Sequence, residues 1–182
     1  DAERVLRLLI DPSDEPGAIE ISAGRTRIDA HGEPTNDIEM LCWTRDMTDA
    51  QRAATPHTRK FLYVDLARPE TIAAALRYAR TLRDCYGNVY FGRCLYRPDD
   101  KGKYRRDERF AIPNKLVFTD DVKPEYKHDF AIYIQTSEAK GHGYKLLDRS
   151  LNAVQYADVA QRLVAHYGAD LSGIDYCLLY TS

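Results

Sequence analysis

Two long amphipathic helix patterns, separated by a run of short apolar segments, restrict the fold of this chain more than any other feature. Pro69 suits the first position of the first helix and Gly87 its end, because proline fixes a helical φ and glycine tolerates a left-handed one. Its apolar stripe comprises Ile72, Ala75, Leu76, Ala79, Leu82 and Tyr86. Ser150 is predicted to cap the second helix and Gly168 to end it. The apolar face of the second helix comprises Ala153, Tyr156, Ala157, Ala160, Leu163, Val164 and Tyr167.

The segments between and around these helices have the composition and alternation of strands. Strands are predicted at 18–22, 38–44, 61–66, 88–96, 115–121, 131–137, 142–148 and 174–180. Residues 2–10 form a short amphipathic helix, while 45–60 are polar and irregular. Strands interspersed with two long helices predict an α+β fold: a single domain over 1–182, with a mixed β-sheet and the long helices packed mainly on one face.

Composition limits the function classes. A length of 182 residues allows a full core, and a net charge of −2 means that any nucleic-acid contact must come from a local basic patch. The cysteines at 42, 85, 94 and 177 form no C-x-x-C pair, which favours reduced thiols in a cytoplasmic protein over a zinc site or a disulfide framework. No apolar run is long enough to span a membrane. The chain begins without Met and stops inside a predicted strand, so we expect a fragment of a longer protein.

Acidic residues at the end of the strand 115–121 are candidates for metal binding. Successive side chains of a strand point to opposite faces, so Thr119 and Asp121 share one face and Asp120 takes the other. Asp120 and Asp121 can enter one site only if the strand breaks or bulges between them. Asp175, which opens the last predicted strand, could add a third carboxylate to a Mg²⁺ or Mn²⁺ site. The alternative is that all three aspartates only form turns at strand ends.

The long loop 97–115 is locally basic. It holds seven positive and four negative residues, a net +3, with Tyr104 and Phe110 interspersed as possible stacking partners for bases. Arg105, Arg106 and Arg109 are therefore candidates for nucleic-acid binding. The alternative is a solvated loop with internal ion pairs.

A second loop, 136–145, combines small, hydroxyl-bearing and basic residues between two strands. Ser137, Lys140 and Lys145 could bind the phosphates of a nucleoside triphosphate, together with backbone N–H groups near the glycines. His142, between Gly141 and Gly143, could contact phosphate or be an exposed turn residue. The other four histidines, including His57, are interpreted as structural, because no partner spacing accompanies them.

The order of these motifs resembles the catalytic core of the archaeo-eukaryotic primase superfamily, and most closely the primase-polymerase domains of phage, plasmid and mobile-element replication proteins. The strand Asn-Val-Tyr-Phe-Gly at 88–92 leads through a variable loop to a first motif at 116–121. Ser137 with the run 141–145 takes the place of the second motif, and Asp175 that of the third. The helix at 2–9 also looks like the first helix of such domains.

The resemblance implies an RRM-like catalytic core that performs DNA-dependent, two-metal nucleotidyl transfer. Asp121, Asp175 and Asp120 would hold Mg²⁺ or Mn²⁺, and Ser137, Lys140, His142 or Lys145 the nucleotide phosphates. DNA template or primer and nucleoside triphosphates would be the partners, with a helicase region in the same polypeptide.

Two departures from the family pattern bear on activity. The family's Asp-x-Asp falls on Thr119 and Asp121, so a hydroxyl replaces one ligand unless Asp120 substitutes through a bulge. The family's Ser-x-His is also missing, because Ala139 stands two positions after Ser137. A non-catalytic nucleic-acid-binding module of a replication protein and a metal-dependent nuclease or phosphoesterase are the alternatives.

Overall fold

A computed structural model describes residues 2–10, 15–44, 46–170 and 179–181 of the chain. The helices are α1 Ala2–Leu9, α2 Asp49–Ala54, α3 Pro69–Tyr86 and α4 Ala153–Tyr167. The strands are β1 Gly17–Ile28, β2 Pro34–Met40, β3 Lys60–Val64, β4 Asn88–Tyr96, β5 Asn114–Val122, β6 Ile132–Gln135, β7 Gly141–Leu151 and β8 Leu179–Thr181. The predicted α+β class is confirmed.

The strands divide into two sheets where the sequence predicted one. β1 is the central strand of a five-stranded sheet and pairs with β2, β3 and β4, while β8 pairs with β4. A three-stranded sheet has the order β5-β7-β6. Every pairing described is antiparallel, so neither sheet is mixed. Strand patterns indicate which residues are extended, but not which strands pair, and the division into two sheets could not be derived from them.

The main core lies between α3 and one face of the five-stranded sheet. Ile72, Ala75, Ala79 and Leu82 of α3 pack with apolar residues of β1, as the helical stripe predicted. A second cluster joins Tyr156 and Ala160 of α4 to β4 and β5. Each long helix therefore packs mainly against a different sheet.

Two helix starts differ from the prediction. Asn152, not Ser150, caps α4, because β7 continues through Leu151 before the helix begins. Within 45–60, expected to be irregular, Thr48 caps the six-residue helix α2 in a reciprocal capping box with Gln51. α2 buries no residue and so has no apolar stripe to reveal it.

The second face of the five-stranded sheet is covered as well. Glu20 and Ser22 lie on β1, where the alternation predicted a half-buried strand, yet both side chains are fully buried. Arg59 lies beside Glu20, with its Nε 2.8 Å from Oε1 of the carboxylate. Burial raises the pKa of Glu20, and the charges of Arg59 and Arg106 oppose that rise.

Candidate active site

The strand β5 ends in a bulge that separates the two adjacent aspartates. Its register against β7 shifts between Thr119 and Val122. Asp121 has φ 54°, in the left-handed region that non-glycine residues seldom adopt. The backbone N–H of Asp121 donates to Oδ1 of Asp120 at 2.8 Å. The alternation of a regular strand is therefore interrupted at these carboxylates, as a shared site would require.

Asp120 faces His142 across the two neighbouring strands. Nε2 of His142 lies 3.1 Å from Oδ1 of Asp120, and each residue is only 6% exposed. The ring of Phe118, two residues before Asp120, meets the His142 ring edge-on at 5.3 Å. His142 is thus a buried residue of β7, which excludes the exposed turn that was its alternative interpretation.

The glycines beside His142 are required for close approach. A Cβ atom at Gly143 would lie 2.5 Å from the ring of Phe130, and one at Gly141 would lie 2.5 Å from the carbonyl oxygen of Ile134. These distances are too short for any side chain, so the Gly-His-Gly sequence lets β7 pass beneath an aromatic ring while His142 reaches Asp120.

Asp121 and Lys140 form the exposed half of the site. Nζ of Lys140 lies 2.5 Å from Oδ2 of Asp121, and this hydrogen bond raises the pKa of Lys140. Lys140 ends a turn in which the N–H groups of Thr136 and Ser137 donate to its carbonyl oxygen, and Ser137 is exposed in that turn. The structure therefore brings Asp120, Asp121, Lys140 and His142 to one end of the three-stranded sheet.

Lys145 is not part of this group. It lies three residues after His142, so alternation along β7 places the two side chains on opposite faces. Nζ of Lys145 lies 3.2 Å from the Tyr167 hydroxyl, on the side of the sheet covered by α4. Lys145 and His142 cannot both bind the same phosphate in this arrangement.

Thr119 also faces away from the Asp120–His142 pair. It is fully buried opposite Gly143, and its hydroxyl has no hydrogen-bond partner within the described parts of the chain. Asp120, not a residue at position 119, stands across from His142. Asp175 lies outside the described residues.

Asp120 and Asp121 could supply only part of the coordination sphere of a hard divalent cation, and water or substrate would have to supply the rest. Asp120 and Asp121 offer carboxylate oxygens, the ligands that Mg²⁺ and Mn²⁺ prefer. No cluster of three His, Cys, Asp or Glu side chains suited to a metal occurs in the described ranges. Mg²⁺ commonly relies on one or two carboxylates plus water and substrate phosphate, so the number of carboxylates supplied by Asp120 and Asp121 is within its usual range.

Arg93 is a site neighbour that the sequence patterns did not single out. It is buried in β4, and its guanidinium carbon lies 4.1 Å from the centre of the Phe118 ring. Burial raises the pKa of Tyr144, which also meets Phe118 edge-on, and the charge of Arg93 opposes that rise. The sequence does contain a signal for Arg93, because it is an arginine inside an otherwise apolar strand. Arginine is seldom buried without a partner, so its position there could have marked it as a candidate.

Two of the three candidate arginines in the basic loop are paired with aspartates of the same loop. Arg105 is paired with Asp99, and Arg109 contacts Asp107 at 2.6 Å. The hydrogen bonds from Arg109 lower the pKa of Asp107 to about 2, so that pair stays charged across the neutral range. Arg106 instead lies near enough to Glu20 for its charge to affect that carboxyl group. Of the three predicted nucleic-acid contacts, Arg106 is the one whose charge acts on a carboxyl group of the five-stranded sheet.

Comparison with known proteins gives one structural neighbour. No family model and no curated protein matches the chain. A solved structure described as the "Crystal structure of the catalytic domain of primase Repb' in complex with initiator DNA" aligns over 97% of this chain and 72% of that one, with 16% identity and a TM-score of 0.45. At these values the similarity by itself establishes neither a shared activity nor a shared ligand. No helix in the described ranges is both long and apolar enough to cross a membrane.

Proposed function

We propose that this chain is a primase-polymerase-type nucleotidyltransferase domain that acts on a nucleic-acid template. The observation that carries the proposal is the buried Asp120–His142 pair beside the exposed Asp121–Lys140 pair, at a bulge between two motifs that resemble those of the primase superfamily. Carboxylates next to a histidine and a lysine form a site for a metal-bound triphosphate.

The two halves of the site have different tasks in this proposal. Asp120 and Asp121 hold the divalent cation, which, when bound, activates a 3′-hydroxyl and stabilises the pyrophosphate leaving group. His142 is oriented by the Asp120 carboxylate, since a histidine ring held through one nitrogen has a fixed direction. Lys140 exchanges its contact with Asp121 for a phosphate oxygen of the incoming nucleotide, and Ser137 lies in the same turn.

Nucleic acid is the proposed second substrate. The loop 97–115 contributes fewer cations than its sequence suggests, because Arg105 and Arg109 are already paired with aspartates of the loop. Binding is therefore weak, with a modest dependence on salt, since that dependence scales with the number of phosphates neutralised.

Calorimetric titration with a nucleoside triphosphate, with and without Mg²⁺ or Mn²⁺, tests the nucleotide site. Binding to the wild type should require metal and should fall at least tenfold in Asp120→Asn. Asp148→Asn is the matched control, because it changes the same charge at an exposed position of β7. Metal-independent binding, or equal losses in both variants, would remove Asp120 from the site.

Primer synthesis and primer extension on single-stranded DNA test the reaction itself. The wild type should extend a primer slowly, better with Mn²⁺ than with Mg²⁺, and Asp120→Asn should not. If nucleotide binds in a metal-dependent way but no product forms with any primer or template, catalysis is absent and the proposal fails.

The second candidate is a non-catalytic nucleic-acid-binding module of a replication protein. One observation favours it: although the backbone of Asp170 pairs with that of Asp120, no three His, Cys, Asp or Glu side chains in the described ranges are grouped as metal ligands, and Thr119 faces away from the bulge. This function predicts oligonucleotide binding that neither metal nor Asp120→Asn alters. Oligonucleotide binding measured with and without metal, in the wild type and in Asp120→Asn, therefore separates the two candidates when it is combined with the nucleotide titration above.

A further inference from the structure

Trp43 is a half-exposed aromatic residue held in one orientation. It is the only tryptophan of the chain, and 43% of its surface is exposed. Its indole Nε1–H donates to the carbonyl oxygen of Thr55 at 2.8 Å, and its backbone N–H donates to Nδ1 of His57 at 3.0 Å. The Trp43 and His57 rings stack, with centroids 4.7 Å apart and planes 25° from parallel. One ring face and the N–H edge are thus occupied, which leaves the second face toward solvent.

The backbone around this stack is anchored at both ends. Thr55, which accepts the indole hydrogen bond, is the C-cap of α2. Thr58, next to His57, donates through its hydroxyl to Leu41 and accepts from the backbone N–H of Ala23 in β1. An aromatic ring that is already fixed loses little conformational freedom when a ligand stacks on it.

Arg59 lies on one side of the stack. Its guanidinium donates to Sγ of Cys42, the residue before Trp43, at 3.1 Å. Burial lowers the pKa of His57, and the charge of Arg59 lowers it further. The same guanidinium pairs with the buried carboxyl group of Glu20, while 26% of the Arg59 side chain is exposed. The stack therefore has a partly exposed cation beside it.

We propose that Trp43, backed by His57, is a stacking platform for a base of single-stranded nucleic acid. The class of partner rests on the proposed function, and the platform is a stacking contact outside the basic loop. A single strand offers base faces and phosphates along its length, and an aromatic ring held in place beside a cation suits both. A protein partner would instead favour an apolar surface around the indole, whereas the described contacts of Trp43 are with the polar side chain of His57 and the backbone of Thr55.

Because Trp43 is the only tryptophan, its fluorescence reports on this contact alone. Titration with a single-stranded deoxyoligonucleotide should quench the emission, since a stacked base replaces water on the open ring face. An abasic oligonucleotide of the same length keeps the phosphates and removes the bases, and it should leave the emission unchanged. Equal quenching by both oligonucleotides, or by neither, would overturn the proposal.

Affinity is measured independently by the anisotropy of a labelled oligonucleotide. Trp43→Ala should weaken binding about tenfold or more, and Trp43→Phe should retain most of the affinity, because a smaller ring still stacks. Val154→Ala is the control for removing an exposed apolar side chain elsewhere. Circular dichroism confirms that each variant is folded. Unchanged affinity in Trp43→Ala also overturns the platform.

These results are separable from those on the nucleotide site. Quenching of Trp43 without metal-dependent nucleotide binding would leave the platform in place and would refute the transferase. Metal-dependent nucleotide binding at Asp120, with no oligonucleotide effect on Trp43, would support the transferase and refute the platform. Protein self-association that buries Trp43, detected as oligonucleotide-independent quenching on raising the protein concentration, would contradict the platform as well.

Discussion

Lys140 binds the one carboxylate at the bulge that faces solvent, that of Asp121. If Asp121 holds a divalent cation as proposed, the ammonium group and the metal compete for this carboxylate until a phosphate of the nucleotide binds the lysine. The affinity for free metal and the affinity for metal-bound nucleotide should then respond in opposite ways to the loss of Lys140.

We predict that Lys140→Gln binds Mn²⁺ more tightly than the wild type in the absence of nucleotide, and binds nucleoside triphosphate several-fold more weakly in its presence. Electron paramagnetic resonance of free Mn²⁺ measures the first effect and calorimetry the second. Lys123→Gln removes the same charge at an exposed position just beyond β5 and serves as the control. Parallel changes in both variants would mean that only net charge matters.

Substitution of Thr119 should change stability and not metal affinity. Its buried hydroxyl lacks a partner among the described residues, so Thr119→Val should be neutral or stabilising by about 1 kcal/mol. Thr119→Asp would place an unpaired charge in the same position and should destabilise by roughly 3–5 kcal/mol. Urea unfolding of the three proteins provides the comparison. A stable Thr119→Asp variant with increased primer extension would show that position 119 does reach the metal.

Asp107 forms an ion pair with Arg109 in the basic loop. Removing the charge of Asp107 should therefore free the Arg109 guanidinium to bind a phosphate. Asp107→Asn should steepen the dependence of log K on log salt by about 0.7 for a single-stranded oligonucleotide. Asp100→Asn makes the same change in net charge at an exposed position of that loop and should alter the slope less. Equal slopes for the two variants would indicate that Arg109 does not contact the strand.

Glu20 should lower the stability of the wild type as the pH rises. Its folded-state pKa is raised above the reference value of 4.5, chiefly by burial, so the folded state retains a proton that the unfolded state has lost. The contribution of Glu20 to the free energy of unfolding is fully present below pH 4.5 and declines as the pH rises toward the folded-state pKa.

The Glu20→Gln variant lacks this loss, and its Tm should rise relative to the wild type between acidic and neutral pH. Thermal unfolding over a pH series tests this, with Glu138→Gln as the control at an exposed position. The opposite trend would show that the contact with Arg59 outweighs burial and keeps Glu20 ionised.

The helices were predictable because their signals are local. Proline at the start, glycine at the end and an apolar stripe define α3 within one continuous segment, and the structure confirms Ile72 and Ala75 in the core. α2 carries a capping signature, Thr48 with Gln51, but no stripe, and a search for periodicity misses such a helix.

The candidate site was predictable only in part, because side-chain direction at a bulge depends on a distant partner strand. The acids, the glycine-flanked histidine and Lys140 are all visible in the sequence. Which aspartate meets His142 follows from the register of β5 against β7, and no local pattern encodes that register. The burial of Glu20 has the same origin, since a polar residue in an alternating strand is normally on the solvent side.

The extra residue in β5 gives two neighbouring carboxylates different environments. Asp120 is buried against His142, whereas Asp121 faces a lysine that water can reach. In such a pair one carboxylate keeps a partner inside the protein, while the other can exchange its partner with solvent. Under the proposed function, a ligand arriving from solvent would therefore meet Asp121 and Lys140 before Asp120, and this order would follow from a single irregularity in the backbone.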